Sequence, residues 1–123
     1  MVKLWAVRGA TTVLKDDPAA VVGATEELLL KLLQINGINA TDIVSIIFTV
    51  THDIQSEFPA VAARKIGLVD TPLICTQEIP KPGSLPLCIR ILMHFYTELA
   101  KEEVKSVYLH DAINLRPDLT SSV

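Results

Sequence analysis

The sequence predicts an α+β fold, in which a mixed sheet of about five strands carries two helices on one face. Two segments have the apolar stripe and the terminal residues of amphipathic helices, and five others are short runs of apolar, often β-branched, residues. The predicted order is β-α-β-α-β-β-β. Because 123 residues suffice for one core but hardly for two, we expect a single domain over residues 1–123.

The first strand and the first helix are marked at their ends. Apolar residues dominate Val2–Val7, and they predict a strand that ends at Arg8. Gly9 follows and indicates either a bulge or a close approach of the backbone to a neighbouring element. Three residues typical of helix termini delimit the next segment: Asp17 as N-cap, Pro18 at the first position and Gly37 after the last turn.

The remaining elements are predicted from residue type and from the prolines and glycines that mark their ends. Residues 42–51 are mostly β-branched and predict a central strand, with Thr49 on the face opposite Phe48. A shorter helix begins at Pro59 and ends at Gly67. Beyond it we expect a third strand over 71–78, a proline-rich loop over 79–86, a fifth strand over 104–112 and a C-terminal tail over about 115–123.

The fourth predicted strand, residues 87–96, has two unlike faces. One is a core face: Leu87, Ile89, Ile91, Met93 and Phe95. The other carries Cys88, Arg90, Leu92, His94 and Tyr96. An unpaired charge is costly to bury, so either this second face is exposed to solvent or Arg90 has a partner of opposite charge.

Composition narrows the possible partners and location. The net charge of -3 and the pI near 5.5 argue against a nucleic-acid partner. No apolar run approaches the ~18 residues of a membrane helix, and the N-terminus lacks a signal-peptide pattern, so we expect a soluble cytoplasmic protein.

The apolar fraction of 50% indicates surface that is buried against another subunit. The two cysteines have no metal-ligand spacing, which favours reduced thiols and no zinc.

The candidate chemistry rests on arginines, because neither a nucleophile motif nor a phosphate-binding glycine loop is present. Three arginines are placed so that their rigid, planar guanidinium groups could bind a dianion: Arg8, Arg90 and Arg116. The alternative for each is a solvated or ion-paired surface arginine. Glu78, at the end of the third strand, can pair with Arg90 or accept from a substrate hydroxyl. Tyr108 can bond an anion or pack in an interface.

Six short motifs follow one another along the chain in this order: "VRGATTV", "FPAVAAR", "CTQE", "CIR", "VYL" and "LRPDL". Together, from about residue 4 to residue 119, they resemble the AroH class of monofunctional chorismate mutases, the Bacillus-type enzymes. The resemblance implies a homotrimeric pseudo-α/β-barrel with active sites between subunits. It also implies rearrangement of chorismate to prephenate on the shikimate route to phenylalanine and tyrosine, with no cofactor and no metal.

The same resemblance assigns roles to individual residues. Arg90 matches the arginine that donates to the ether oxygen of the substrate and to a carboxylate. Arg8 and Tyr108 match carboxylate-binding groups, and Glu78 matches the group that bonds the ring hydroxyl, together with Cys75 of the neighbouring subunit. Further matches line the pocket: Leu73, Ile74, Thr76, Gln77, Phe58, Ala60 and Arg64, with Arg116 near a tail that closes over ligand.

Two alternatives belong to different classes. A trimeric imine deaminase of the Rid type also holds a carboxylate with a strand arginine, although "VRGATT" and "LRPDL" argue against it. A non-catalytic trimer that binds a small carboxylate is supported only by Val61, which stands where the chorismate mutases often have lysine.

Overall fold

The computed structural model describes residues 1–115, so Arg116 and the rest of the tail lie outside the described residues. The helices are α1 (Pro18–Ile35) and α2 (Ala60–Lys65). The strands are β1 (Lys3–Thr12), β2 (Ile43–Val50), β3 (Leu73–Gln77), β4 (Cys88–Thr97) and β5 (Val107–Tyr108). Short 3-10 turns occur at Ala40–Asp42, Lys101–Glu103 and His110–Asn114. The predicted α+β class and element order are confirmed.

The five strands form one mixed sheet in the order β3-β2-β4-β1-β5. β4 lies in the middle, antiparallel to β1 and β2, whereas the outer strands β3 and β5 run parallel to their neighbours. In this register Arg90 lies between Ala10 of β1 and Thr49 of β2. The arginine singled out by the sequence therefore occupies the centre of the sheet.

Two predicted strand limits are wrong. β1 continues past Val7 to Thr12, which places Arg8 inside the strand, because β1 pairs with β4 along its whole length. β5 covers Val107–Tyr108 and not residues 104–112. It pairs with β1 only at Gly9 and Ala10, and the chain then turns at His110 with φ +54°. Long-range pairing therefore set both limits, where local residue type could not.

The ends of α1 agree with the prediction. The amide of Ala20 donates to Oδ1 of Asp17 at 2.8 Å, as expected of an N-cap. This bond holds the pKa of Asp17 below its ordinary value. Pro18 begins the helix, and the backbone leaves it through Gly37 at φ +60°, in the left-handed region that glycine adopts without steric cost.

Both helices pack on one face of the sheet. Leu28, Leu29 and Leu32 of α1 and Ala62 and Ala63 of α2 belong to the same buried cluster as sheet residues that include Phe48 and Phe95. The predicted core face of β4 is confirmed from its second residue onward: Ile89, Ile91, Met93 and Phe95 are each at most 2% exposed. No helix within residues 1–115 has the length and apolar character needed to span a membrane.

Gly9 is a point of close contact between α1 and the sheet. A Cβ added to this glycine would lie 2.9 Å from Cδ1 of Leu32 and 3.3 Å from the carbonyl oxygen of Val107. The close backbone approach predicted at Gly9 is therefore confirmed, and it brings α1, β1 and β5 together.

Candidate active site

A cavity of about 260 Å³ opens on the side of the sheet away from the helices. Its lining comes from four strands and the residues that follow β3 and β5: Arg8, Gly9, Ala10, Ile47, Thr49, Glu78, Arg90, Ile91, Leu92, Tyr108 and Leu115. The period of two along each strand places these polar side chains on one face and the apolar core on the other. The structure thus brings four of the sequence-predicted site residues to one cavity.

Arg90 has both a partner and access to solvent. Its Nε lies 3.5 Å from Oε2 of Glu78, and the two side chains are 45% and 30% exposed. The hydroxyl of Thr49 donates to the same Glu78 oxygen. Since strong charge-assisted bonds are ~2.7–2.9 Å long, this pair is loose, and both groups can engage a ligand.

Arg8 and Tyr108 extend the site across β1 and β5. Arg8 is exposed, and among residues 1–115 no carboxylate lies within ion-pair distance of it. Tyr108 is 8% exposed and lies opposite Ala10 in the β1–β5 pair. Two guanidinium groups and one carboxylate give the cavity a net positive charge, which suits a ligand with more than one carboxylate.

The other predicted pocket residues lie elsewhere in the chain. Phe58, Cys75, Thr76 and Gln77 line a second cleft of about 330 Å³. Cys75 cannot reach the first cavity from its own strand, because it pairs with Phe48 and shares the core face of the sheet with it. One chain therefore presents the predicted site as two separate surfaces, the Arg90 cavity and the Phe58 cleft.

Five further predicted site residues remain: four lie on β3 or α2, and one lies outside the described residues. Ile74 is 60% exposed on β3, whereas Leu73 and Ala60 are partly buried against the main core. The guanidinium of Arg64 donates to the carbonyl oxygens of Leu68 and Thr71, so it holds the loop that connects α2 with β3. Arg116 lies outside the described residues.

The two thiols lack the features of nucleophiles. Burial raises the pKa of Cys75 and, against the opposing effect of the Arg90 charge, that of Cys88. A raised pKa keeps both groups protonated near neutral pH, and this supports their interpretation as small packing residues. Within residues 1–115 no three His, Cys, Asp or Glu side chains are grouped so that they could hold a metal ion.

Seven of the eleven lining residues were not predicted as site residues, and two of them, Thr49 and Leu115, are informative. Thr49 was recognisable in part, because alternation along the central strand separated it from the apolar face that carries Phe48. Its hydrogen bond to Glu78 depends on the parallel pairing of β2 with β3, and that pairing leaves no local signal. Leu115 reaches the cavity only because the 3-10 turn after β5 folds back over β1.

Comparisons of the sequence with known proteins all point to one family. The family model described as chorismate mutase type I matches residues 4–119. The chorismate mutase AroH of Thermus thermophilus is 50% identical over 117 residues, which cover 94% of this chain and 96% of the relative. The AroH enzyme of Bacillus subtilis is 36% identical over 115 residues, covering 93% and 91%.

A solved structure shows the same fold. The chorismate mutase from Clostridium thermocellum superposes with a TM-score of 0.87 at 48% identity, over 88% of this chain and 96% of that one. The fold and sequence comparisons agree from β1 to beyond β5, so the chain belongs to the chorismate mutase type I family.

Proposed function

We propose that this chorismate mutase converts chorismate to prephenate in the Arg90 cavity, and that Arg90 stabilises the charge that develops on the breaking ether oxygen. The observation that carries the proposal is the placement of Arg90 at the centre of the sheet, with Arg8, Tyr108 and Glu78 on the walls of one cavity. The proposed activity belongs to phenylalanine and tyrosine biosynthesis, for which we expect a cytoplasmic location.

The reaction requires from the protein only a cavity of suitable shape and a suitably placed charge. An intramolecular Claisen rearrangement forms one carbon–carbon bond and breaks one carbon–oxygen bond in a single step, so it needs no nucleophile. The protein can confine the substrate in its folded conformer and place positive charge beside the ether oxygen. Arg90 supplies that charge from a rigid strand, which needs no reorganisation during the step.

The remaining groups orient the substrate. Arg8 carries a charge without an ion-pair partner among residues 1–115, so it can bind one carboxylate, with the phenol of Tyr108 as a second donor. Glu78, steadied by Thr49, can accept a hydrogen bond from the ring hydroxyl. The charges of Arg8, Arg90 and Glu78 sum to +1, so the cavity balances half of the charge of the dianionic substrate.

Turnover of chorismate by the purified protein tests the activity. We expect the absorbance of chorismate to fall, and acid treatment of the product to yield phenylpyruvate, the compound that prephenate forms in acid. A protein that binds but does not convert millimolar chorismate would match the carboxylate-binding alternative and contradict the proposal. The family membership argues against the imine deaminase, which would release ammonia from an imine substrate.

We also propose that the active protein is a homotrimer in which the Arg90 cavity of one subunit faces the Phe58 cleft of the next. The cavity side of the sheet bears no α-helix within residues 1–115 and exposes Leu4 and Tyr96 by about half. Phe58 is 67% exposed at the mouth of the second cleft. Apposition of subunits would cover these apolar groups and unite the two halves of the predicted site.

Mixed trimers test the shared site. Arg90→Ala removes the guanidinium proposed to stabilise the ether oxygen, and Phe58→Asp places a negative charge against the dianionic substrate in the cleft, so each variant alone should be inactive. The two variants are co-expressed with different affinity tags and purified over both. By cyclic symmetry each mixed trimer has one intact site of three, so we expect about a third of the native activity.

Light scattering provides the control for assembly. Every preparation should have a mass close to three times the chain mass of 13.4 kDa. Mixed trimers of that mass that remain as inactive as the parent variants would show that one chain builds the whole site by itself.

A further inference from the structure

A hydrogen-bond network lies directly before the strand that carries Arg90. The amide of Leu87 donates to both carboxylate oxygens of Asp53, at 3.1 and 3.0 Å. The hydroxyl of Thr51 donates to the same carboxylate and accepts from the amide of Cys88 at 3.0 Å. Both amides at the start of β4 are therefore held by side chains from the turn after β2.

Leu87 has an unusual backbone conformation. Its φ is +50°, in the left-handed region where a Cβ crowds the backbone and where glycine is the usual residue. A non-glycine residue stays in this region only when its surroundings determine its conformation. The Asp53 carboxylate on its amide, and the bond from the amide of Val13 to its carbonyl oxygen at 2.9 Å, supply those surroundings.

The position of this network along the chain connects it with the site. Thr51 continues the β2–β4 ladder by donating its amide to the carbonyl oxygen of Cys88 at 3.1 Å. Two residues further along β4, Arg90 lies opposite Thr49, which bonds Glu78. A shift at Leu87 would therefore move the guanidinium relative to the cavity, whereas the core face of β4 is held separately by α1 and α2.

We propose that Asp53 is a positioning residue for Arg90: it holds Leu87 in the left-handed conformation and thereby sets the start and register of β4. Asp53 is absent from the lining of the Arg90 cavity, so it acts through the backbone. The inference rests on the proposed role of Arg90. Because preorganised charge loses its effect when displaced by about 1 Å, a backbone change of that size at residue 87 is sufficient to matter.

A double-mutant cycle with Leu87→Gly tests this role. Asp53→Ala should lower kcat about tenfold or more with little change in KM, since the lost interaction is one made in the transition state. Glycine adopts φ +50° without strain, so in the Leu87→Gly background the same substitution should lower kcat by at most about threefold. Leu87→Gly alone measures the loss of side-chain packing and provides the reference for the double variant.

Asp17→Ala is the matched control, because Asp17 also holds a backbone amide with its carboxylate but does so at the start of α1. It should lower the melting temperature and leave kcat unchanged. If Asp53→Ala behaves like this control, or lowers kcat equally in both Leu87 backgrounds, the positioning role is wrong. If Arg90→Ala itself retains full kcat, the proposed function fails first, and that outcome is distinct from either result at Asp53.

Discussion

Replacing Arg90 by citrulline, which keeps the shape of the side chain but carries no charge, is expected to lower kcat by at least about a hundredfold. Citrulline preserves the length and most of the hydrogen bonds of the arginine. The expected loss therefore measures the positive charge at the ether oxygen. Loss of one preorganised donor typically costs about 3 kcal/mol of transition-state stabilisation, which corresponds to a factor of this size.

Binding separates this effect from a general loss of affinity. The dissociation constant of an unreactive, chorismate-like dicarboxylate should change much less than kcat, since Arg8 and Tyr108 still hold the substrate carboxylates. Arg8→citrulline is the matched comparison at the same cavity, and we expect it to raise KM more than it lowers kcat. Undiminished kcat in the Arg90 variant would show that confinement alone carries the catalysis.

Gly9→Val is expected to cause a large loss of stability although it leaves every polar group in place. The new side chain would enter the space of Leu28 and Leu32, which are fully buried, and would press on the carbonyl of Val107. Overpacking of this kind costs about 3 kcal/mol, which is a large part of the stability of a small domain. Displacement of β5 would also move Tyr108, so kcat/KM should fall together with the midpoint of chemical denaturation.

Gly23→Ala is the matched control for Gly9→Val. Gly23 lies on the exposed side of α1, and nothing lies within 4 Å of an added Cβ. Alanine should therefore stabilise the helix by about 0.5–1 kcal/mol without any effect on turnover. A Gly9→Val protein as stable as the native one would show that α1 can move away from the sheet, contrary to the packing described above.

Much of the architecture was accessible from local patterns. Asp17, Pro18 and Gly37 marked α1 because capping chemistry acts over a few residues. The alternation along β4 separated its core face from the face of Arg90, since successive side chains in any strand point to opposite sides. The shared motifs identified the family, which the comparisons confirm, and through it the expected roles of Arg8, Glu78, Arg90 and Tyr108.

The limits of β1 and β5 and the grouping of the site depended on contacts between residues far apart in the chain. Local sequence ended β1 at Arg8, but pairing with β4 extends it to Thr12 and places Arg8 on the cavity wall. The link from Asp53 to Leu87 joins residues 34 positions apart and has no sequence signature.

The sequence by itself determined the fold class, the two helices, the unusual place of Arg90 and the family. Only the tertiary structure decided which predicted residues meet within one chain: Arg8, Glu78, Arg90 and Tyr108 share a cavity, whereas Phe58 and Cys75 line a separate cleft. The physical reason is that capping, periodicity and residue type act locally, whereas strand order and register are chosen by the packing of the whole sheet.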